Sequence, residues 1–166
     1  MATNVLAAPA VNITSFNLSN INNHNISDRV NSYSLNNAAT TPPTKLNQVH
    51  DWLNTLVLHQ TTSAMGDKYV VAFEIYNDTQ LTQWFIYPYG SVVQNIEILL
   101  FSNGGLASSF KTGHGLKNQQ DFHYGSEIEI SPGQRKTLLL LFSSDFFFAP
   151  IKILITPQEQ IEQLFH

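Results

Sequence analysis

The chain has 166 residues, 43% of them hydrophobic, which is enough to bury the core of one domain. A net charge of −4 with scattered basic residues argues against a nucleic-acid partner, and the absence of cysteine excludes disulfides and cysteine-based zinc or redox sites. Only 12% of the residues are charged, about half the usual share, so neutral polar side chains cover the surface.

The N-terminus differs in composition from the rest. Residues 1–10 end in the small-residue run Leu6-Ala-Ala-Pro-Ala10, which is similar to the end of a signal peptide. We therefore expect a signal-peptide remnant or a non-native leader, disordered in either case. The alternative is a native, disordered N-terminus rich in alanine. No apolar run of about 18 residues offers a membrane span within the sequence.

Residues 11–53 predict only short elements. Val11–Leu18 alternates apolar and polar residues, as an edge strand does. Asn36–Thr44 contains two prolines and is predicted as an extended connector. Thr44 is placed to cap a short helix over residues 45–53. The apolar side of that helix carries Leu46, Val49, Trp52 and Leu53.

From residue 68 to residue 156 the sequence predicts one strand after another. The segments are rich in β-branched and aromatic residues, and Asn, Gly, Pro and Ser separate them. The predicted strands are Lys68–Asn77, Gln83–Pro88, Val92–Ser102, Leu106–Lys111, Glu127–Ile130, Arg135–Ser143 and Ala149–Ile155. Short strands at this spacing indicate an all-β sandwich or barrel.

A capping box is predicted at the C-terminal end. Thr156 would be the N-cap, Pro157 the first helical residue, and Glu159 follows three residues after the threonine. An apolar stripe of Ile161, Leu164 and Phe165 comes next. We expect residues 11–156 to form one sandwich domain and residues 157–166 to begin a helix that leads to a transmembrane region. The alternative is a short terminal helix packed on the sandwich.

Several segments, taken in order, resemble one family of bacterial sensor domains. They are Ile26-Ser-Asp28, Val71–Asn77, Trp84-Phe-Ile-Tyr-Pro88, Val93–Phe101, Thr112-Gly-His114, Ser131-Pro-Gly-Gln-Arg135 and Ala149–Pro157. The family is the second extracellular sensor domain of seven-transmembrane receptors with diverse intracellular signalling modules. The resemblance covers most of the chain, from about His24 to Phe165.

The resemblance implies a jelly-roll β-sandwich similar to carbohydrate-binding modules. It also implies a place on the periplasmic or extracellular side of the bacterial inner membrane, ahead of a diguanylate cyclase, histidine kinase or related output domain. Two positions depart from the family. Tyr69-Val-Val71 stands where the family often has Trp followed by Arg, and Gln119-Gln-Asp121 stands where it commonly has Arg. If these positions define the family's site, the ligand here differs or is absent.

The sequence carries no catalytic or metal signature. The six histidines lack the i, i+4 or H-x-H spacing of a ligand pair, so we predict no metal and no other cofactor. Glu127 and Glu129 share one face of their strand, as paired acids for sugar hydrolysis would, but two acids on a solvated strand are far commoner. We therefore predict no catalytic residues and no enzyme activity.

The loop from Thr112 to Gly125 is the predicted ligand site. Gly113 and Gly115 allow close backbone approach. The side chains that supply donors and acceptors are His114, Asn118, Asp121, His123 and Tyr124. This inventory suits a neutral, oxygen-rich ligand such as a saccharide. The alternative is a mobile loop that binds nothing.

Aromatic residues give two further expectations. Trp84 shares one strand face with Ile86, and Phe85 shares the other with Tyr87, so at least one pair belongs to the core. Candidates for stacking on a sugar are Trp84, Tyr76, Tyr87, Tyr89 and Tyr124, of which Trp84 is expected in the core. Phe146–Phe148 and the stripe Ile161, Leu164 and Phe165 are expected at a homodimer contact.

Together these patterns predict an extracytoplasmic ligand-sensing domain of a bacterial membrane receptor that signals to cytoplasmic output domains. Two other classes stay open. One is a small glycan-active enzyme on the same fold, and the other is a structural or adhesive β-domain.

Overall fold

The computed structural model describes residues 12–22, 24–35, 41–58, 67–89, 95–112, 125–144 and 151–161. These residues form ten strands: β1 (Thr14–Asn17), β2 (Ser32–Ser34), β3 (Val57–Leu58), β4 (Asp67–Tyr76), β5 (Gln83–Tyr89), β6 (Asn95–Ser102), β7 (Gly105–Thr112), β8 (Ser126–Glu129), β9 (Arg135–Ser144) and β10 (Lys152–Pro157). The α-helices are α1 (Leu18–Ile21) and α2 (Val49–Asn54), and 3₁₀ turns lie at Ser27–Arg29, Leu46–Gln48 and Gln158–Gln160.

The described strands form two sheets. The larger sheet has the order β3-β2-β4-β9-β6-β7. Strand β1 pairs in parallel with the C-terminal half of β4, from Phe73 to Tyr76. The smaller sheet has the order β10-β5-β8 and is antiparallel. The predicted all-β sandwich with one short helix near residues 45–53 is therefore confirmed.

The main core lies between the two sheets. Alternate residues of the central strands of the larger sheet point inward, among them Phe73, Ile98 and Leu140. The smaller sheet contributes Trp84 and Ile155 to the same core. The sandwich is thus held together by apolar side chains from both layers, which is the usual reason for a sheet to bury one face.

A second apolar cluster covers the outer face of the larger sheet. Val70, Leu99 and Leu139 lie on that face, and Val49 and Leu53 of α2 pack over them. The central strands are therefore buried on both sides, and this explains why β9 contains four consecutive leucines rather than an alternating pattern.

The start of the predicted helix differs in one detail. The helical segment begins with the 3₁₀ turn Leu46–Gln48, and Lys45, not Thr44, occupies the N-cap without a side-chain capping bond. The carbonyl oxygen of Thr44 accepts a hydrogen bond from the Leu106 N–H over 3.0 Å. Lys45 is extended and forms an antiparallel bridge with Gly105, so the helical segment begins one residue later than predicted.

The N-terminal segment joins the two sheets. After β1 pairs with β4, the chain turns through α1 and reaches the edge of β10. There the Ile26 N–H donates to the carbonyl of Ile153 over 3.0 Å, and the Ile153 N–H donates to Asn25 Oδ1 over 2.9 Å. These contacts satisfy backbone groups that an open sheet edge would expose. The predicted edge strand Val11–Leu18 is present in shorter form as β1.

Two turns follow directly from sequence. Asn103 and Gly104 have φ angles of 51° and 87°, as a two-residue type I′ hairpin requires, and they join β6 to β7. Between β8 and β9, Pro132 precedes Gly133, whose φ is 82°, and Gln134 donates its N–H to the Ser131 carbonyl over 3.1 Å. This is the residue pattern of a type II turn.

The predicted capping box does not form. Thr156 is buried within β10, and the strand continues to Pro157, which pairs with Trp84. The turn begins only at Gln158, with Pro157 as its N-cap and no side-chain capping bond. Pairing with β5 keeps Thr156 extended, and the missing N–H of Pro157 then ends the ladder. Sheet pairing therefore outweighs the local helix signal.

Candidate functional site

An open groove of about 640 Å³ lies at one end of the smaller sheet. It is lined by residues of three segments: the β4–β5 connection, strand β8 and the turn after β10. The lining residues are Leu81, Thr82, Gln83, Glu127, Pro157, Gln158, Glu159 and Ile161. The groove is a concave surface formed by described residues of three separate segments, and we take it as the candidate site.

One wall of the groove, residues 77–82, is fixed by a buried amide. The Asn77 side chain donates from Nδ2 to the carbonyl oxygens of Leu81 and Ile130, each over 2.7 Å. Its Oδ1 accepts from the Thr79 N–H over 3.0 Å. Trp84 Nε1 donates to the same Leu81 carbonyl over 3.0 Å. We call residues 77–82 the fixed wall, because its backbone is tied to both sheets.

The other wall, residues 157–161, is joined to β8 by a solvent-exposed hydrogen bond, and we call it the C-terminal wall. Gln158 Nε2 donates to Glu127 Oε1 over 2.8 Å, and this contact is exposed to solvent. Thr156 Oγ1 lies 3.4 Å from both Asn22 Oδ1 and Gln160 Oε1, a long separation for hydroxyl hydrogen bonds. Ile161 is 9% exposed and packs in an apolar cluster with Phe85, Tyr87 and Leu154.

The burial of this apolar cluster disagrees with two predictions from the sequence, one for Tyr87 and one for Ile161. Both faces of β5 are buried: Trp84 and Ile86 lie in the main core, as expected for Trp84, and Phe85 and Tyr87 lie on the other face. Tyr87 is 7% exposed, so its ring is not free to stack on a sugar. Ile161 is not available for the expected dimer contact, because its side chain is already packed within the domain.

A second stacking candidate, Tyr76, is covered as well. The guanidinium carbon of Arg135 lies 4.8 Å from the centroid of its ring. Arg135 Nη1 also forms an ion pair with Glu74 Oε1 at 3.1 Å. A cation over the ring face occupies the surface on which a sugar would stack.

The charged side chains that line the groove within the described residues are both carboxylates. Glu127 lies on β8 and Glu159 on the C-terminal wall. Glu129 shares the face of Glu127, and both are exposed, while Ile128 between them is buried. Gln83 and Gln158 add amide groups, and Leu81 and Ile161 add apolar surface. This lining is rich in acceptors and repels anions.

The five residues of the predicted ligand site lie outside the described residues. They are His114, Asn118, Asp121, His123 and Tyr124, together with Gly113 and Gly115. The flanks of that loop are described. Thr112 ends β7 at one edge of the larger sheet, and Gly125 precedes β8 of the smaller sheet, two residues before Glu127. The described residues on either side of the loop therefore belong to different sheets, and the role of the loop as a ligand site stays a prediction.

Other predicted segments also fall outside the described residues: 1–10, Gln119 and Gln120, Phe146–Phe148, Leu164 and Phe165, and the side chain of Tyr89. No three His, Asp or Glu side chains gather around a common point in the described ranges, so no metal ligands can be named there.

The side chains of Tyr69-Val-Val71 are all used in packing. Tyr69 and Val71 point into the main core, and Val70 points into the outer cluster beneath α2. The Tyr69 ring lies 5.0 Å from that of Phe142, centroid to centroid. These three residues therefore serve packing, two in the main core and one in the outer cluster.

Sequence reasoning missed the groove because its residues are distant in sequence. Gln83 follows a turn, Glu127 begins a predicted strand, and Gln158 falls in a predicted helix. The signal that could have pointed to it is the pair of polar residues Gln158-Glu159 directly after a buried strand. Only the pairing of β5 with both β8 and β10 brings these residues together.

Comparison with known proteins gives no family assignment. No protein-family model matches the chain, and no curated protein has significant sequence similarity to it. None of the helices in the described part of the chain has the length and apolar character that a bilayer crossing requires.

Proposed function

We propose that this protein is an extracytoplasmic ligand-sensing domain of a bacterial membrane receptor, and that the groove between the fixed wall and the C-terminal wall binds a small, neutral polar ligand such as a saccharide. The observation that carries the proposal is that the two walls of the groove are held in different ways. One wall is tied to both sheets through Asn77, and the other wall is the last described segment of the chain, residues 157–161.

This asymmetry supports sensing in addition to binding. A ligand shifts a conformational equilibrium only by its differential affinity for the two states. A ligand in the groove would contact one wall that buried hydrogen bonds hold and a second wall whose hydrogen bond to Glu127 is exposed to solvent. Its affinity would therefore depend on the position of residues 157–161, and its binding would change the packing of whatever follows Ile161. The place outside the inner membrane and the output domain rest on the family resemblance of the sequence.

The ligand class follows from the lining. The carboxylates of Glu127 and Glu159 accept hydrogen bonds, and the amides of Gln83 and Gln158 both donate and accept. Hydroxyl groups supply the matching donors, and the C–H faces of a sugar suit the exposed side chain of Leu81. An anionic ligand would meet two like charges and no cation among the described lining residues.

A thermal-shift screen tests the proposal. The wild-type protein is screened against neutral mono- and disaccharides, with sugar phosphates as the anionic comparison. A ligand at about 100 times its Kd stabilises the folded state by about 2.7 kcal/mol. Gln83→Ala should abolish a hit that occupies the groove, whereas His114→Ala and Tyr124→Ala should abolish one that occupies the loop. A screen in which only sugar phosphates bind would contradict the proposed ligand class.

A further inference from the structure

The hydrogen bond between Gln158 and Glu127 crosses the groove from one lining segment to another. Gln158 belongs to the C-terminal wall, and Glu127 belongs to β8 of the smaller sheet. Its length of 2.8 Å is that of a good charge-assisted bond, and the contact is exposed. Water can therefore compete with either partner, so breaking the bond costs no more than the modest net strength of an ordinary hydrogen bond.

The hydrogen-bond donor to Glu127 is a neutral amide, and this choice of donor is informative. The carboxylate of Glu127 is met by a neutral amide N–H, although a lysine or an arginine would be the usual partner of a surface carboxylate. The turn that carries Gln158 is closed by the Ile161 N–H, which donates to the Gln158 carbonyl. The side chain and the backbone of Gln158 thus link Glu127 to the position of Ile161, whose own side chain packs on β5 and β10.

From these contacts we infer that the Gln158–Glu127 hydrogen bond is a latch on the groove, and that a neutral ligand opens it by donating its own O–H or N–H group to Glu127. This inference rests on the proposed function, because it concerns the same groove. In the latched state the amide of Gln158 takes the place of the ligand's donor. When a hydroxyl group replaces it, the side chain of Gln158 is released, and the turn of residues 158–160 loses its hydrogen bond to β8.

The proposed latch predicts how much the affinity for a ligand should change when the latch is removed. Only unlatched molecules can bind a ligand that must displace Gln158, so the apparent affinity is the intrinsic affinity multiplied by the unlatched fraction. Removal of the latch should therefore raise the apparent affinity. For a bond of ordinary net strength the factor is about fivefold. The same factor should appear, with no ligand present, as faster exchange of the Ile161 amide hydrogen, because the turn that protects it opens more often.

The first arm of the test needs no ligand. Amide hydrogen exchange at Ile161 is measured by NMR in the wild type, in Gln158→Ala, in Glu127→Ala and in the double variant. We expect about fivefold faster exchange in each single variant and no further gain in the double variant, because either change removes the same bond. Gln48→Ala is the matched control: Gln48 is exposed and lies in the 3₁₀ turn that precedes α2. Unchanged exchange in Gln158→Ala, or additive effects in the double variant, would overturn the latch.

The second arm uses cellobiose as the neutral probe, with an NMR titration of the wild type, Gln158→Ala and Gln48→Ala. The latch predicts binding about fivefold tighter to Gln158→Ala than to the other two proteins. Equal affinity for all three would overturn the latch and leave the groove as a binding site. Absence of binding to every variant would count against the saccharide-binding groove itself, while the exchange measurements would still decide whether the latch exists.

Discussion

Asn77 donates a hydrogen bond from its buried side-chain amide to the carbonyl oxygen of Ile130 over 2.7 Å. This contact joins the end of β4 in the larger sheet to the end of β8 in the smaller one. The backbone of Asn77 adds to the tie, because its N–H donates to Gln134 and its carbonyl accepts from Gly133. One polar side chain therefore fixes the corner of the sandwich from which the fixed wall of the groove is built.

Replacement of this amide should be costly. We expect Asn77→Ala to lower the free energy of unfolding by about 3 kcal/mol, because it leaves buried backbone groups without their partner. Urea denaturation measures the change. Asn47→Ala is the control, since Asn47 is exposed on the 3₁₀ turn before α2, and it should stay within about 0.5 kcal/mol of the wild type. Equal stability of the two variants would contradict the structural role of Asn77.

Gly125 is required by close packing. A Cβ atom at this position would overlap the ring of Phe85 and crowd the Cβ of Tyr87. We expect Gly125→Ala to destabilise the protein by about 2 kcal/mol, the usual range for overpacking a core. Phe85→Leu should recover part of that loss when combined with Gly125→Ala, although it is destabilising alone. If the two losses simply add in thermal denaturation, the proposed contact is wrong.

The β6–β7 hairpin offers a matched pair of glycines. Gly104 has a φ of 87°, which an alanine adopts only at a cost of about 1 kcal/mol. Gly105 has no positive φ, and a Cβ added at either position would meet no atom within 4 Å. Gly104→Ala should therefore lower stability by about that amount, and Gly105→Ala should not. Chemical denaturation of both variants tests this, and the reverse order would contradict the type I′ assignment.

Asp78 should titrate below the usual range. The Ser19 hydroxyl and the Ser19 N–H both donate to its carboxylate, and these bonds lower the pKa of Asp78. A carboxyl with a depressed folded-state pKa stabilises the fold above its unfolded pKa of about 3.9 and loses that contribution as the pH falls through the folded pKa. The contribution is therefore present at neutral pH and is lost in acid.

The check is an NMR titration of the Asp78 carboxyl carbon. Ser19→Ala should raise the pKa of Asp78 towards its ordinary value, and Ser109→Ala, at an exposed serine on β7, should leave it unchanged. An unchanged titration of Asp78 in Ser19→Ala would show that the serine hydroxyl does not hold the carboxylate.

The fold was predictable where the signal is local. Val70, Phe73 and Leu139 belong to runs of β-branched and apolar residues, and the hairpin at Asn103-Gly104 has a residue pattern that few other conformations accept. These features specify strands and turns wherever they occur in a chain. The sequence therefore predicted most of the strands and the sandwich class.

The rest could not be predicted because it depends on contacts between distant segments. Thr156-Pro157 has the composition of a helix start, but the pairing of β10 with β5 keeps Thr156 in the sheet. Asn77 fits a turn and a glycosylation pattern equally well in sequence, and only its burial between two sheets shows its role. The groove combines Gln83, Glu127 and Gln158, and no local rule places these residues together.

The central claim is that the groove binds a small neutral ligand, and an NMR titration tests it most directly. Backbone amide signals are followed while a neutral saccharide found in the thermal-shift screen is added. We expect saturable shifts that centre on Gln83, Glu127 and residues 157–161, with loss of binding in Gln83→Ala. Saturable shifts that leave these residues unmoved and centre on the loop of residues 113–124 or elsewhere would contradict the claim.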